Sequence, residues 1–372
     1  MFKTDILFTG YYGHKNTGDD AFVEVAQWGA QKLWNKNNVR FLAKSQTLPI
    51  TVNPSKGYAF SVPKTYRLQA NLLLNNTDCL ISAGGSTLIK KIDNNNPKAI
   101  ALKRKAKGGE LKTGAIGVSI GPFASSEDEK AITEYLKSLD FLALRDQFSF
   151  DYASGLNLPY QPVNAFDLAA LLPDIYDFSA NKKKKNTKLK TIGVSLCPYE
   201  SIKGELNLST ERKRNENMLQ LLKEIEQKED VHFKFYIING HSLVGDAKLT
   251  MDTIAKLSPK SYEVVQYSRN TRDIWLSIAN CDFVISTRLH AAIFACFADT
   301  PFMLNEYHRK CTDFLQNVDY NEEFRLFNSE YDPIEKSHQI IEVLNNQSKY
   351  KGPLKTSEMK DLARLNFTDV KL

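Results

Sequence analysis

A chain of 372 residues is long for one hydrophobic core and suits two domains. Its 42% apolar and 25% charged residues are the composition of a soluble globular protein rather than a disordered or membrane-spanning one. The net charge of +6 equals the six lysines at 182, 183, 184, 185, 188 and 190, a stretch without an acid, so the remainder is balanced and a nucleic-acid binder with a basic face is excluded.

In chain order, short runs rich in Val, Ile and Phe alternate with helical patterns. Strands are predicted at Ile6–Thr9, Val39–Ala43, Cys79–Ser82, Gly114–Ile120 and Phe141–Leu144, then at Thr191–Leu196, Phe233–Ile238, Tyr262–Val265, Phe283–Ser286 and Phe302–Leu304. Such alternation implies parallel sheets covered on both faces. The expected architecture is α/β, with two doubly wound Rossmann-like domains facing a cleft in a GT-B-like arrangement. The expected boundaries are residues 1–173 for the first domain, 174–190 for a lysine-rich linker, 191–330 for the second domain and 331–372 for a helical tail. A solvated linker is the simpler reading of the lysines; contact with anionic lipid head groups is the other. No signal peptide or spanning segment is read, so the expected location is the cytoplasm, with the inner face of the membrane as the alternative.

The first strand runs into Gly10-Tyr11-Tyr12-Gly13-His14-Lys15-Asn16-Thr17-Gly18-Asp19-Asp20. The glycines permit tight turns and a close backbone approach to a ligand, but their spacing is not that of a dinucleotide-binding loop. Asp19 and Asp20 stand at the expected helix N-cap. Two acids there repel phosphate but suit sugar hydroxyls, either as hydrogen-bond acceptors or as a base; simple capping is the alternative. A second glycine turn, Ala83-Gly84-Gly85-Ser86-Thr87, follows the third strand. Ser125 with Asp128, or Ser126 with Glu129, reads as a capping box. Arg145 ends a strand, either as an anion contact or as the ion-pair partner of Asp146.

In the second half Asn239-Gly240-His241 ends a strand. Ile285-Ser286-Thr287-Arg288-Leu289-His290-Ala291 places an arginine and a histidine where a strand meets a buried helix. Strand ends of open α/β sheets and helix N-termini both favour ligands, anions in particular. Arg288 adds a flat donor fork suited to carboxylate or phosphate, and His290 a group that exchanges a proton near neutral pH. The competing reading is an arginine paired with a structural acid and a histidine satisfied in the core. Tyr307 and Lys310, after the next strand, are candidates to complete an anion pocket. The five cysteines, at 79, 197, 281, 296 and 311, fit no zinc spacing.

These elements in this order resemble the polysaccharide pyruvyltransferase family. The matching pieces are Gly10-Tyr11-Tyr12-Gly13 with Asn16, Gly18 and Asp19; Gly84-Gly85; Gly117 with Ile120-Gly121-Pro122; Leu144-Arg145-Asp146 and Asp167; then Ile285 to Ala291, Pro301, Tyr307 and Lys310. Asp20 departs from a frequent Glu, and Ala83 from a third glycine. The resemblance implies transfer of pyruvate from phosphoenolpyruvate to two sugar hydroxyls as a cyclic ketal, in cell-surface or exopolysaccharide synthesis. No metal or organic cofactor is expected. The acceptor is a sugar, lipid-linked or soluble.

On this reading His290 is the acid, Arg288 holds the donor and Asp19 is the base. Leu289, Arg145, Lys310 and Tyr307 are further donor contacts. Gly13, His14, Asn16, Gly18, Asp20, Gly85 and Ser86 are acceptor contacts. A nucleotide-sugar glycosyltransferase of the same architecture is the runner-up, with His14 as its base. It lacks the second acid eight residues after Glu306, where Phe314 stands.

Overall fold

In a computed structural model, which describes residues 3–62, 64–176 and 189–372, the strands form two wholly parallel six-stranded sheets. The first contains β1 (Thr4–Thr9), β2 (Val39–Phe41), β3 (Thr77–Leu88), β4 (Lys112–Ile120), β5 (Phe141–Leu144) and β6 (Val163–Asn164), in the order β2-β1-β3-β4-β5-β6. The second contains β7 (Lys190–Ser195), β8 (Val231–Tyr236), β9 (Tyr262–Val265), β10 (Phe283–Ser286), β11 (Phe302–Asn305) and β12 (Arg325–Leu326), in the order β12-β11-β10-β7-β8-β9. Both orders are doubly wound. The chain reverses direction of growth between β1 and β3 in the first sheet and between β7 and β10 in the second. The crevices outside the carboxyl ends of those strand pairs are where such sheets bind ligands.

The predicted strands at Phe141–Leu144, Tyr262–Val265 and Phe283–Ser286 form over those same residues. Two-residue strands β6 and β12 carry too little pattern to be read. The second glycine turn is a correction: Ala83 to Thr87 lie inside β3, whose pairing with β4 shifts register between Gly85 and Leu88. Gly84 and Gly85 have φ of +77° and +83°, and a Cβ on Gly84 would lie 2.3 Å from the Phe22 ring. The irregular strand therefore needs both glycines.

The chain divides into two compact units. One comprises Met1–His14, Gly18–Ile175 and Ser357–Leu372; the other comprises Lys15–Thr17 and Tyr176–Thr356. The stretch 331–372, expected as one appendage, is divided: the helix Pro333–Asn345 packs on the helix Ser209–Lys228 of the second unit, and the final helix, Thr356–Thr368, builds into the first. The lysines of the expected linker at 182, 183, 184, 185 and 188 lie outside the described residues. Among the described residues no helix is long and apolar enough to cross a membrane.

The final helix joins its unit through Asn366, which is fully buried. Its Oδ1 accepts the Gly117 N–H at 2.6 Å, and its Nδ2 donates to the carbonyls of Phe166 and Ala363 at 2.8 and 2.9 Å. Gly29, in the helix Thr17–Lys32, lets the final helix approach closely: a Cβ there would lie 2.2 Å from the Phe367 ring. Asn366→Leu strands the Gly117 donor and the Phe166 acceptor without water. Each such group costs about 1–3 kcal/mol, so a clear fall in the melting temperature is expected by calorimetry. An unchanged transition would show that the bonds add nothing.

Candidate active site

The second unit's switch point gathers most of the predicted donor contacts. β10 ends at Ser286, and the Thr287 N–H donates to the Ser195 carbonyl of β7 at 2.7 Å. Arg288, in extended backbone, is the N-cap of the helix Leu289–Phe297. That helix has a continuous apolar sequence and buries every residue except His290, which stays partly exposed with its ring edge-on to Phe294. Leu289 is core, so only its backbone is placed to meet a ligand.

Arg288 directs Nε and Nη2 at one oxygen, Oδ1 of Asp246, with the Nε bond at 2.8 Å. The Asp246 side chain is fully buried and that of Arg288 is 16% exposed. Oδ2 of Asp246 accepts the Asn239 N–H at 2.8 Å, while the Asp246 N–H donates to the Asn239 carbonyl. His241 stabilises the same loop, its Nδ1 accepting the N–H groups of Leu243 and Val244 at 3.2 and 3.3 Å. It is thus a loop-forming residue. Burial pushes the Asp246 carboxyl up, and Arg288 with the Asn239 and Ile238 N–H groups pulls it back in part. Burial acts to lower the Arg288 pKa, but the neighbouring Cys197 and Asp246 outweigh it and the net shift is upward. The arginine is therefore a fixed cation. It has the partner that the competing reading required, yet Nη1 makes neither of those two bonds.

Cys197, just beyond β7, completes the arrangement. Its buried thiol donates to the Pro198 carbonyl at 3.3 Å and hydrogen-bonds the Tyr307 hydroxyl. Burial pushes the thiol pKa up, opposed by Arg288 and Lys310. Burial also holds the Tyr307 phenol protonated. The Lys310 ammonium lies 5.6 Å from the Tyr307 ring centroid, as does the Arg214 guanidinium. Three predicted donor contacts, Arg288, Tyr307 and Lys310, thus meet around Cys197. Cys197 and Asp246 were missed. A Cys-Pro step directly after a strand, and an acid after Gly245 at a helix start, were the available signals.

In the first unit, Gly13 has φ of +79°, and a Cβ there would lie 2.3 Å from the Thr47 hydroxyl. Tyr12 turns inward, its hydroxyl donating to the Ala83 carbonyl at 2.8 Å. Tyr11 and His14 turn outward and stack, with centroids 4.1 Å apart. The helix begins at Thr17, so Asp19 and Asp20 lie in its first turn rather than at its N-cap. They differ in setting: Asp20 is buried and Asp19 partly exposed. A Cβ on Gly85 would lie 3.9 Å from Asp19 Oδ1, which places Asp19 beside β3 at the other switch point.

Arg145 also belongs to this first unit. Its Nε donates to Ser119 Oγ at 2.7 Å, its Nη1 to Asp167 Oδ2 at 2.8 Å and its Nη2 to Ser86 Oγ at 3.1 Å. Asp146 instead caps the helix Gln147–Ser154 through the Ser149 N–H. The Arg145–Asp146 pair is therefore not formed. Arg145, expected as a donor contact, is instead tied to Asp167 and holds Ser86 within the first unit. Asn16 groups with the second unit, bridging Asn239, while the Thr17 N–H and hydroxyl donate to the Ile238 carbonyl at 3.0 and 3.1 Å. Gly18 is buried at the helix start. Among the described residues no three His, Cys, Asp or Glu side chains cluster as a metal site.

The sequence profile described as "Polysaccharide pyruvyl transferase" matches residues 16–309. Among curated proteins none matches the chain. Solved structures give the fold. The chain is similar to the UDP-GlcNAc 2-epimerase from Neisseria meningitidis bound to UDP-GlcNAc, at 9% identity and a TM-score of 0.58, covering 99% of this chain and 100% of that one. It is also similar to the UDP-GlcNAc 2-epimerase from Methanocaldococcus jannaschii, at 12% identity and a TM-score of 0.57, covering 98% of each chain. The S. aureus MnaA-UDP co-structure matches at 10% identity and a TM-score of 0.61, over 99% of this chain and 92% of the other. These likenesses support two Rossmann-like domains of GT-B-like type.

Proposed function

The chain belongs to the polysaccharide pyruvyl transferase family, and we propose that it moves pyruvate from phosphoenolpyruvate onto two hydroxyls of a sugar as a cyclic ketal. The observation that carries this reading is the Arg288–His290 pair at the β10 switch point. A cation fixed by Asp246 stands there two residues before His290, the only incompletely buried residue of its helix. The donor is a small anion with a carboxylate and a phosphate, which suits Arg288 and Lys310.

The proposed reaction starts with a proton from the His290 ring to the donor's methylene carbon, which makes the adjoining carbon electrophilic. One acceptor hydroxyl attacks that carbon and loses its proton. The carbon–oxygen bond to phosphate then breaks, with the leaving charge stabilised by Arg288. The second hydroxyl attacks the same carbon to close the ketal and gives its proton back to the His290 ring, while the first hydroxyl's proton leaves with phosphate. Asp19 is proposed as the base toward the acceptor, with Gly13, His14, Gly85 and Ser86 as acceptor contacts. No metal or organic cofactor takes part in this scheme. The acceptor is a sugar of a cell-surface or exopolysaccharide, and a lipid-linked form fits the scheme as well as a soluble one.

The glycosyltransferase alternative gains nothing from Glu306. Both its carboxylate oxygens accept from Arg325, at 2.8 and 2.6 Å, in a buried pair that ties β11 to β12. Ligand-induced stabilisation separates the readings. Phosphoenolpyruvate at about a hundred times its Kd adds about 2.7 kcal/mol, and the melting temperature is expected to rise. A shift with UDP-N-acetylglucosamine and none with phosphoenolpyruvate would sink the proposal.

A further inference from the structure

From residue 25 to residue 77 the chain carries seven basic residues and no acid, although the protein outside residues 181–190 is balanced overall. The end of this stretch folds as one exposed face of the first unit. The helix Tyr66–Asn75 buries Gln69, Ala70, Leu73 and Leu74, and Leu73 and Leu74 pack with Leu7 and Leu80. It is apolar on its outer side as well: Leu68 and Leu72, four residues apart and so on one stripe, are 60% and 43% exposed.

Phe60 is fixed beside that stripe. Its N–H donates to Gln69 Oε1 at 2.9 Å and its carbonyl accepts from Gln69 Nε2 at 2.8 Å. Phe60 is nonetheless 67% exposed, and Val62, whose carbonyl accepts from the Thr65 hydroxyl, is 54% exposed. A helix apolar on both faces, with an aromatic residue held outward next to it, leaves apolar surface that ordinary scatter does not explain. Three exposed cations accompany it: Lys44, whose ammonium lies 5.4 Å from the Tyr66 ring centroid, with Lys64 and Arg67. Among the described residues none of the three has an acidic partner.

We infer that this face, formed by Phe60, Val62, Leu68 and Leu72 with Lys44, Lys64 and Arg67, docks on a membrane surface that carries anionic phospholipid. Apolar side chains enter the head-group boundary while lysine and arginine remain at the phosphates, a combination of forces that neither a neutral bilayer nor a purely ionic contact provides. A partner protein covering such a face would need a matching acidic rim, and this protein has no acid between residues 25 and 77 to pair with a second copy of the same patch. The inference does not depend on pyruvyl transfer. It would bring the enzyme to the surface where a lipid-linked acceptor resides.

The test is co-sedimentation of the full chain with phosphatidylcholine–phosphatidylglycerol vesicles and with vesicles of phosphatidylcholine alone. The wild type is expected to pellet with the anionic vesicles, less so as salt screens the charges, and weakly with the neutral ones. Phe60→Ser with Leu68→Ser, and separately Lys64→Gln with Arg67→Gln, should each weaken partition by about fivefold or more. Because these side chains are exposed, circular dichroism should match the parent. Wild-type protein that stays in solution overturns the inference. So does binding that both double variants retain, which would shift attention to the segment Lys182 to Lys185. A dimer in sedimentation velocity that the Phe60/Leu68 variant dissolves, without vesicle binding, overturns it in favour of a second copy.

Discussion

Replacing His290 with Gln is expected to lower turnover by about a hundredfold or more while leaving phosphoenolpyruvate capture near that of the parent. Glutamine keeps a polar side chain of similar reach but has no proton to give. General acid catalysis is worth about a hundredfold to ten-thousandfold, so the loss belongs to the chemical step. The surroundings isolate this effect. His290 is the one residue of its helix that is not fully buried, and of the core rings it meets Phe294 edge-on, so its replacement is expected to leave the packing of Ile293 and Phe297 in place. The expected kinetic signature is a lower kcat with little change in the dissociation constant of the donor, measured by ligand-induced melting shift. Near-normal turnover would make His290 a packing residue and require another acid.

Arg288→Lys is expected to reduce kcat/KM for phosphoenolpyruvate by at least about tenfold. The arginine meets two demands at once. Nε and Nη2 are engaged with Asp246, and the proposed donor contact falls to the rest of the planar group. A lysine ammonium is a point donor on a flexible stem and cannot span both. If it stays with Asp246 the donor anion loses a partner; if it turns to the donor, a buried carboxylate does. Because the charge is kept, the full cost of an unpaired buried ion, about 3–5 kcal/mol, does not arise, and the melting temperature should stay close to the parent. Arg288→Met, which removes the charge, should unfold far more readily. The acceptor's Michaelis constant should change much less than the donor's. A change confined to acceptor kinetics would mean that the donor and acceptor sides have been exchanged. Unfolding of the lysine variant would make Arg288 a structural partner of Asp246.

Local pattern made the strands readable. β5 and β10 are short, fully buried and chiefly apolar runs, and β9 carries a pair of valines, so sequence and structure agree to the residue at all three. The features that were not legible are those decided at long range. Arg145 pairs not with its neighbour Asp146 but with Asp167, which returns to it only because β6 lies beside β5. Asp246 reaches Arg288 across 42 residues, from a loop after β8 to the end of β10. The last helix looked like part of a tail, since nothing local reveals that Asn366 bonds Gly117 from 249 residues away. Paired glycines usually make a turn, whereas Gly84-Gly85 let an irregular strand pass Phe22. For the candidate site, residue types and strand-end positions pointed to Arg288 and His290, whereas Lys310 entered with the family resemblance rather than from its spacing. The groups that fix them, Asp246 and Cys197, emerge only from the folded chain.

The most direct measurement is of product. The protein is incubated with phosphoenolpyruvate and a panel of methyl glycosides, inorganic phosphate is assayed, and the glycosides are examined by mass spectrometry. Pyruvyl transfer predicts phosphate release that depends on the acceptor, one phosphate for each glycoside that gains a pyruvate ketal, with both lost in His290→Gln. Glycosyl transfer from a UDP-sugar by the same preparation, with no ketal on any glycoside, would contradict it.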